Sequence, residues 1–485
     1  MRSRLLGRVS WIALASVSVS VLGLFTLACT DRQHADSSSS FDRAPSPTQS
    51  CAAEPIPERR APDVRPALDD PEYWLAKADA LHPGSSDLEL LDIDERARLA
   101  ATVAALPGGW RDPALAATGD PALIDRELAE RRDWLRGRVD SGKYLEGQPG
   151  ALAASARISE TAEAVADQGS LHLVTAETPL WCVPTTAGLY TDPIDLDFDR
   201  NRCASLHMGE PLRALRRSAD ARWTYVDAGH SVGWIAVADG GEAALSPALD
   251  ATALAARPTV PQLYILADHG RLRAGAHFPL APDPADSGDS GDSGDSEQSP
   301  PAVLLPGPAG PLRAVLPEGL PHHTGPLPFT RRNLFTQAFA QLDQAYGWGG
   351  RAGQRDCSRF LHDLFAQFDV RLARNSGVQA KLGTRSVDIS ALDDDDKRTA
   401  IRAAAEDGVV LLYMRGHIML YLGHDGSHDY GISALSEYLE VCELDPDAPA
   451  VVHRLDRVAV TTLELGRGTQ RRAFIERISR MAVFD

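Results

Sequence analysis

Cys357 sits between Asp356 and Ser358, directly ahead of an apolar helical face formed by Phe360, Leu361, Leu364, Phe365 and Phe368. That spacing places the cysteine at or near the first turn of a buried helix, where unpaired backbone N–H groups and the helix dipole favour a thiolate. A thiolate there is a nucleophile that needs a base, far away in sequence and close in space. Gly416-His417-Ile418-Met419-Leu420-Tyr421-Leu422-Gly423 offers one, read as a β-strand with His417 at its start. Asp425-Gly426 is a hairpin turn signal, so the chain should return through Tyr430 to Leu435. In a tight hairpin centred near Asp425, the residue opposite His417 falls close to Ser433, while His428 lies just after the turn. Ser433 is therefore the expected partner that orients His417 and fixes its tautomer. His428, or Asp429 through a bulged hairpin, is the alternative. A cysteine ahead of an apolar helix is, taken alone, more often inert core. The His-bearing strand and the Gly-rich lead-in described next argue for chemistry.

That lead-in follows a helix. Thr330 can cap it, and Leu334, Phe335, Ala338, Phe339, Leu342 and Ala345 form its apolar face. It runs into Tyr346-Gly347-Trp348-Gly349-Gly350, a turn with no Lys and no phosphate-loop spacing, which argues against a nucleotide cradle. Upstream, short β segments occur at Leu171–Val174, Trp181–Val183, Leu212–Leu215, Trp223–Val226 and Gly233–Ala236. The series Gly209-Glu210-Pro211-Leu212, Arg222 to Val226 and Gly233-Trp234-Ile235 resembles bacterial SH3-like domains. A weaker β region follows from Tyr264 to about Leu316. It is interrupted by a Ser-Gly-Asp repeat between Pro282 and Pro301, which lacks EF-hand spacing and reads as a solvated insertion. Helical patterns at Asp94–Leu106 and Pro121–Val139 carry no evident chemistry.

Arg2, Arg4 and Arg8 precede an uncharged apolar stretch, Val9 to Ala28, that ends in Thr26-Leu27-Ala28-Cys29. This resembles a bacterial lipobox with Thr26 in place of the usual Leu, and implies a cleaved signal with Cys29 as the lipidated first residue. An uncleaved anchor and an ordinary secretory signal are the alternatives. All three export the chain. Asp31 to Ala67, rich in Ser, Pro and charge, reads as a tether.

The 485 residues, 44% hydrophobic and 24% charged, suggest roughly three domains with sizeable cores. The formal charge of -18 argues against nucleic acid as a partner. The six cysteines are too few for a disulfide scaffold. Cys182 and Cys203 flank one β module and are placed to pair in an oxidising compartment, while Cys51 and Cys442 suggest no role.

Taken together, Tyr346-Gly347-Trp348-Gly349-Gly350, Asp356-Cys357-Ser358 and Gly416-His417 with Leu420-Tyr421-Leu422-Gly423 resemble the NlpC/p60 cysteine peptidases. Pro328-Phe329-Thr330, Asn333, Gln337-Ala338-Phe339 and Arg374-Asn375-Ser376 with Gln379 narrow the resemblance to a branch with two SH3-like domains before the catalytic domain. The implied architecture is multidomain α+β. A papain-like catalytic domain (326–485) would follow two SH3-like β-barrels (170–245, and 255–325 with a disordered insertion at 282–301). A helical region (71–165), a lipidated tether (29–70) and a signal peptide (1–28) would precede them.

The resemblance implies hydrolysis of the γ-D-glutamyl–diamino-acid bond of murein peptides, with Cys357 as nucleophile and His417 as base. Backbone N–H at Cys357, with the Tyr346 hydroxyl, would hold the oxyanion. Asp356, in a substrate-binding set with Tyr346 and Ser358, would take the free amine of a terminal L-alanine. The first SH3-like domain would wall the cleft. No metal or cofactor is implied: His424 and His428 have zinc-ligand spacing but no third ligand nearby. The expected partners are murein peptide and, through Cys29, the periplasmic side of a bacterial membrane; oligomeric state is left open. An inactive peptidoglycan-binding lipoprotein and a thiol acyltransferase are the alternatives.

Relatives usually carry His where Ser433 falls, and Gly where Arg359 stands. The guanidinium of Arg359 is expected to point outward to water. Asp393–Asp396 reads as an acidic surface loop, and His322-His323 as part of a solvated linker.

Overall fold

Asp356 caps the helix that carries the cysteine: its Oδ1 accepts the Arg359 N–H at 2.9 Å, as the sequence order Asp-Cys-Ser ahead of an apolar face requires. In the computed structural model of the chain, the described residues are 60–144, 148–160, 163–164, 169–192, 194–237, 245–250, 252, 260–282, 300–442 and 448–485. The signal, Cys29, Cys51 and most of the tether and of the Ser-Gly-Asp insertion lie outside them.

The described chain begins with helices α1 (Pro71–Leu81), α2 (Ile93–Ala105), α3 (Pro121–Asp140) and α4 (Gln148–Glu160). Strands β1 (Glu163–Ala164), β2 (Leu171–Leu173), β3 (Thr178–Trp181), β4 (Arg202–Leu206), β5 (Pro211–Arg217), β6 (Trp223–Asp227) and β7 (Val232–Ala236) then form one antiparallel sheet. A disulfide joins Cys182 to Cys203 across this module. A smaller β module follows. In it β12 (His322–Thr324) pairs with β8 (Gln262–Ile265), β8 with β9 (His277–Pro279), and β10 (Ala302–Leu305) with β11 (Leu312–Val315). His322 and His323 therefore belong to an exposed strand, where a linker was expected.

The last part contains α5 (Arg331–Phe339), α6 (Cys357–Ala366), the short α7 (Ser376–Gln379), α8 (Asp394–Asp407) and α9 (Phe474–Arg477) around a six-stranded antiparallel sheet. Its strands run in the order β13 (Arg385–Asp388), β18 (Arg480–Phe484), β14 (Val409–Met414), β15 (His417–His424), β16 (Asp429–Glu440) and β17 (Val451–Thr462). Alternation along β15 fills two cores. Ile418, Leu420 and Leu422 join α5 and α6 on one face, while Met419 and Tyr421 join α8 and α9 on the other. Asp393 is the N-cap of α8 rather than part of a loop: its Oδ1 accepts from the Asp395 and Asp396 N–H groups. Acidic side chains in a first turn are favoured by the helix dipole.

The helical lead is not one body. Trp74, Leu75, Leu91, Leu99 and Val103 of the α1–α2 region pack into the same core as α5 and α6. Ile124, Leu128 and Leu135 of α3, with Ala151, Ala154 and Ile158 of α4, pack instead against Trp223, Tyr225 and Trp234 of the first β module. Trp74 lies so close to Gly423 that an added Cβ would stand 3.3 Å from its ring, and Gly423 has φ +143° at the bulge between Tyr421 and Gly423. Cys442 is disulfide-bonded, a role its sequence position did not suggest.

Candidate active site

Cys357 is the first residue of α6, and Asp356 ahead of it is held from several sides. Arg374 donates to Oδ1 at 3.0 Å and to Oδ2 at 2.5 Å, Ser358 Oγ donates to Oδ1 at 3.0 Å, and the Gly349 N–H donates to Oδ2 at 3.1 Å. Burial tends to raise the Asp356 pKa, but the Arg374 guanidinium and these donors hold it below the usual carboxylate value. Ser358 Oγ in turn accepts from Arg374 at 2.7 Å. Asp356 and Ser358 are thus engaged by protein groups that fix the start of α6.

The backbone N–H groups of Ile418, the residue after His417, and of Ser358 act on the Cys357 thiol in the direction that favours its ionised form. Helix α6 and strand β15 pack together, so the cysteine reaches the start of the His-bearing strand. His417 Nε2 lies 3.0 Å from Ser433 Oγ, and the imidazole packs against the Phe474 ring at 5.6 Å. The ladder pairs Leu420 with Ile432, and the bulge between Tyr421 and Gly423 displaces the pairing toward the turn. His417 therefore meets Ser433 diagonally rather than straight across. The alternatives are engaged elsewhere. Asp429 accepts from Arg402 at 2.9 and 2.7 Å and from the Tyr421 hydroxyl at 2.7 Å. His428 packs against Tyr430 beyond the bulge.

Burial, reinforced by the negative charge of Asp356, pushes the Cys357 thiol up to about 12; burial, reinforced by Arg477, lowers the His417 imidazole to about 3. The resting pair is neutral. A ready-made thiolate was expected from the helix end alone. That contribution, about 0.3–2 kcal/mol, is smaller than the cost of placing an unshared charge where Cys357 and His417 are only 8% and 7% exposed.

Tyr346 completes the cluster. Burial, followed by the negative charge of Asp356, raises its hydroxyl pKa well above the ordinary value, so the phenol is a donor. The loop behind it is pressed onto the first β module. Trp348 Nε1 donates to the Asp199 carbonyl at 2.9 Å, the Phe198 and Trp348 rings lie 5.3 Å apart, and the Arg200 guanidinium covers the Trp348 ring at 4.5 Å. Gly349 and Gly350 have φ +59° and +79°, and an added Cβ would collide with Arg202 and Ser205 of β4. The glycines are required both by the turn and by this close approach.

Arg359, expected to face water, is instead 1% exposed. It donates to Ser205 O at 3.1 Å, to His207 Nδ1 at 2.6 Å and to Glu210 Oε1 at 2.6 Å, and its Nε lies 2.7 Å from Asp363. An Arg head can leave water when carboxylates meet it from two sides. Arg355 does the same for the second β module, pairing with Asp268 at 2.7 and 2.8 Å and with Asp363 at 2.8 Å. No sequence signal singled out Arg355, Asp363, Glu210 or Asp268. Their partners are brought from distant segments.

A thiol at the start of a helix packed onto a histidine-bearing strand of a six-stranded antiparallel sheet is the arrangement of a cysteine-peptidase type of site. Residues 343–430 match the NlpC/P60 family, and residues 189–236 match an SH3 domain of SH3b1 type, so the chain carries an NlpC/P60 domain preceded by an SH3b domain. An NlpC/P60 endopeptidase from Photobacterium damselae subsp. piscicida shares the fold over 89% of this chain and 98% of its own, with TM-score 0.63 and 12% identity. An NlpC/P60 family protein from Bacillus cereus ATCC 10987 is similar over 65% of this chain and 99% of its own, with TM-score 0.40 and 16% identity. No curated protein sequence matches. The family match supports a peptidoglycan hydrolase of the cysteine-peptidase class.

Proposed function

We propose that the protein hydrolyses the γ-D-glutamyl–diamino-acid bond of murein peptides that carry a free amino-terminal L-alanine. The observation that carries the reading is the placement of Cys357 at the capped start of α6, on the helix that packs against the strand opening with a Ser433-held His417. With the proton on Nε2 and donated to Ser433 Oγ, the Nδ1 lone pair of His417 is free to act as base. The Cys357 thiol gives its proton to Nδ1 as the sulfur attacks the γ-carbonyl carbon. The Cys357 N–H, one of the helix-end groups without an intrahelical acceptor, and the Tyr346 hydroxyl face the developing oxyanion. His417 then passes the proton to the leaving amine, and water attacks the thioester with His417 again as base. Asp356 is the proposed partner of the alanine amine, which requires one oxygen to be shared with Arg374. The first SH3-like module, docked on Trp348 through Phe198 and Arg200, supports an end-selective cleft. Cys29 as lipid anchor and the cell envelope as location complete the proposal.

The test is incubation of L-alanyl-γ-D-glutamyl-diaminopimelate with the full chain and with Cys357→Ala. Cleavage by the first and none by the second is expected. A folded, inactive wild type would leave a binding role. Equal cleavage of a peptide with a blocked alanine amine would overturn the part given to Asp356.

A further inference from the structure

His417 packs against Phe474, and an arginine packs against the same ring. The guanidinium carbon of Arg477, at the end of α9, lies 5.9 Å from the centre of the Phe474 ring, which itself lies 5.6 Å from the His417 imidazole. Phe474 is 5% exposed and His417 7%, and Arg477 is half-buried. The cation is within electrostatic reach of the histidine: burial and, next to it, the positive charge of Arg477 hold the imidazole in its neutral form.

The arginines around it are paired. Arg471 meets Glu437 at 2.6 Å, Arg472 lies 3.7 Å from Glu476, and Arg467 meets Glu464 at 2.5 Å. Among the described residues no carboxylate meets the Arg477 guanidinium, and the charges that act on it, those of Arg471 and Arg472, both repel it. A helix dipole favours a cation in the last turn, but α9 has four residues, too few peptide units for a sizeable dipole. Drawing a guanidinium partly out of water among like charges is unfavourable until an anion meets it. The head keeps its proton at any working pH, so it offers donors and no acceptor.

We propose that Arg477 binds a carboxylate of the diamino acid that leaves, and so sets specificity on the leaving-group side of the cleft. The inference rests on the proposed reaction. There the leaving amine takes its proton from His417, which places the departing residue beside that ring. The carbon next to the amine nitrogen bears the α-carboxylate, and diaminopimelate carries a second carboxylate at the far end of its side chain. Either offers the fork of Arg477 a bidentate, charge-assisted pair. A carboxylate bound there also offsets the positive charge acting on His417, so the imidazole takes up the thiol proton more readily with substrate in place than without it.

The experiment measures binding by calorimetry to the full chain carrying Cys357→Ala, with and without Arg477→Gln. The peptides are L-alanyl-γ-D-glutamyl-diaminopimelate, its α-carboxamide, and L-alanyl-γ-D-glutamyl-L-lysine, which lacks the distal carboxylate. Arg477→Gln should weaken the first at least about tenfold. One analogue, the one without the carboxylate that Arg477 holds, should bind Cys357→Ala at least about tenfold more weakly than the parent peptide and be indifferent to Arg477→Gln. Its identity tells the α-carboxylate from the distal one. Equal weakening of all three peptides would overturn the assignment, because it would mark an effect passed through Phe474 and His417. Unchanged binding of the diaminopimelate peptide, or no binding of any peptide to Cys357→Ala, would overturn it as well. Should Arg477→Gln fail to fold, the ranking of the three peptides on Cys357→Ala still decides, and equal affinity for all would overturn the contact. Cleavage by the unmodified chain is scored separately: binding in the expected pattern without cleavage would overturn the peptidase reading and leave the carboxylate contact standing.

Discussion

Helix α6 has two working faces built on opposite principles. At its start, Cys357 and His417 are neutral, and the imidazole is held by a single uncharged hydroxyl. On the other side, Arg355, Arg359 and Asp363 are buried as ions and matched by carboxylates from both β modules. Fixed charge is thus used for docking, where it sets the position of the modules. At the start of α6 it is confined to the Asp356–Arg374 pair that fixes the helix end, and the thiol and imidazole themselves rest uncharged.

The largest effect separating the faces is on turnover. Cys357→Ala should lower cleavage of the alanyl-γ-glutamyl peptide by about 10⁴-fold or more while leaving the melting temperature close to that of the unmodified chain. The neutral pair makes a second, sharper statement about the same atom. With the thiol near 12, alkylation of Cys357 by iodoacetamide should rise about tenfold per pH unit from pH 6 to 9, in proportion to the thiolate. A plateau in that range would reveal a resting ion pair and break the comparison.

The docking face should respond in stability. Arg359→Met leaves Glu210 and Asp363 buried with less countercharge, which typically costs about 3–5 kcal/mol. Urea unfolding should show a loss of that order, and exchange of the β4 amides should become faster than in the unmodified chain. A loss below about 1 kcal/mol would mean that the cluster does not hold the module.

Acid should strike both faces in the same direction. Burial holds His207 and His417 near 3, against an ordinary value near 6.5. Between those limits the unfolded chain binds protons that the folded chain does not, so stability falls as pH falls through the window. Each histidine contributes up to about 1.4 kcal/mol per pH unit there. Glu210 and Asp363, held well below ordinary carboxylate values, add to the loss at lower pH. The urea midpoint at pH 5 should lie clearly below that at pH 7, and His207→Gln should flatten the difference.

The reactive face was the legible one. Asp356-Cys357-Ser358, the apolar stripe of α6, the Thr330 cap and the strand opening at His417 are local patterns, and each appears where spacing puts it. Ser433 was reached through a hairpin register that the bulge near Gly423 alters, so the two side chains meet although the pairing is diagonal. The docking face was illegible because its members lie far apart in sequence. Nothing beside Arg359 announces Glu210, and a lone arginine reads as a surface residue. Trp74 and the α1–α2 region looked like part of a separate helical domain for the same reason: an amphipathic pattern shows that a face is buried, not against what.

The smallest effect bears on whether one hydroxyl suffices for catalysis. Ser433 is fully buried, and its Oγ is the group that reads the Nε2 side of His417. In Ser433→Ala the Nε2–H loses its acceptor and the ring loses the bond that favours the tautomer with Nδ1 free. A neutral hydrogen bond of this kind is worth about 0.5–1.5 kcal/mol, so kcat should fall roughly three- to tenfold with KM little changed. An ionised partner would stabilise the imidazolium as it forms, and its loss would cost far more. A drop of about 10³-fold would therefore show that the hydroxyl belongs to a charged network after all. His428→Ala, beyond the bulge and against Tyr430, should change kcat by less than about twofold. If the two variants exchanged places, the third position would move from Ser433 to His428, and the neutral character assigned to the reactive face would go with it.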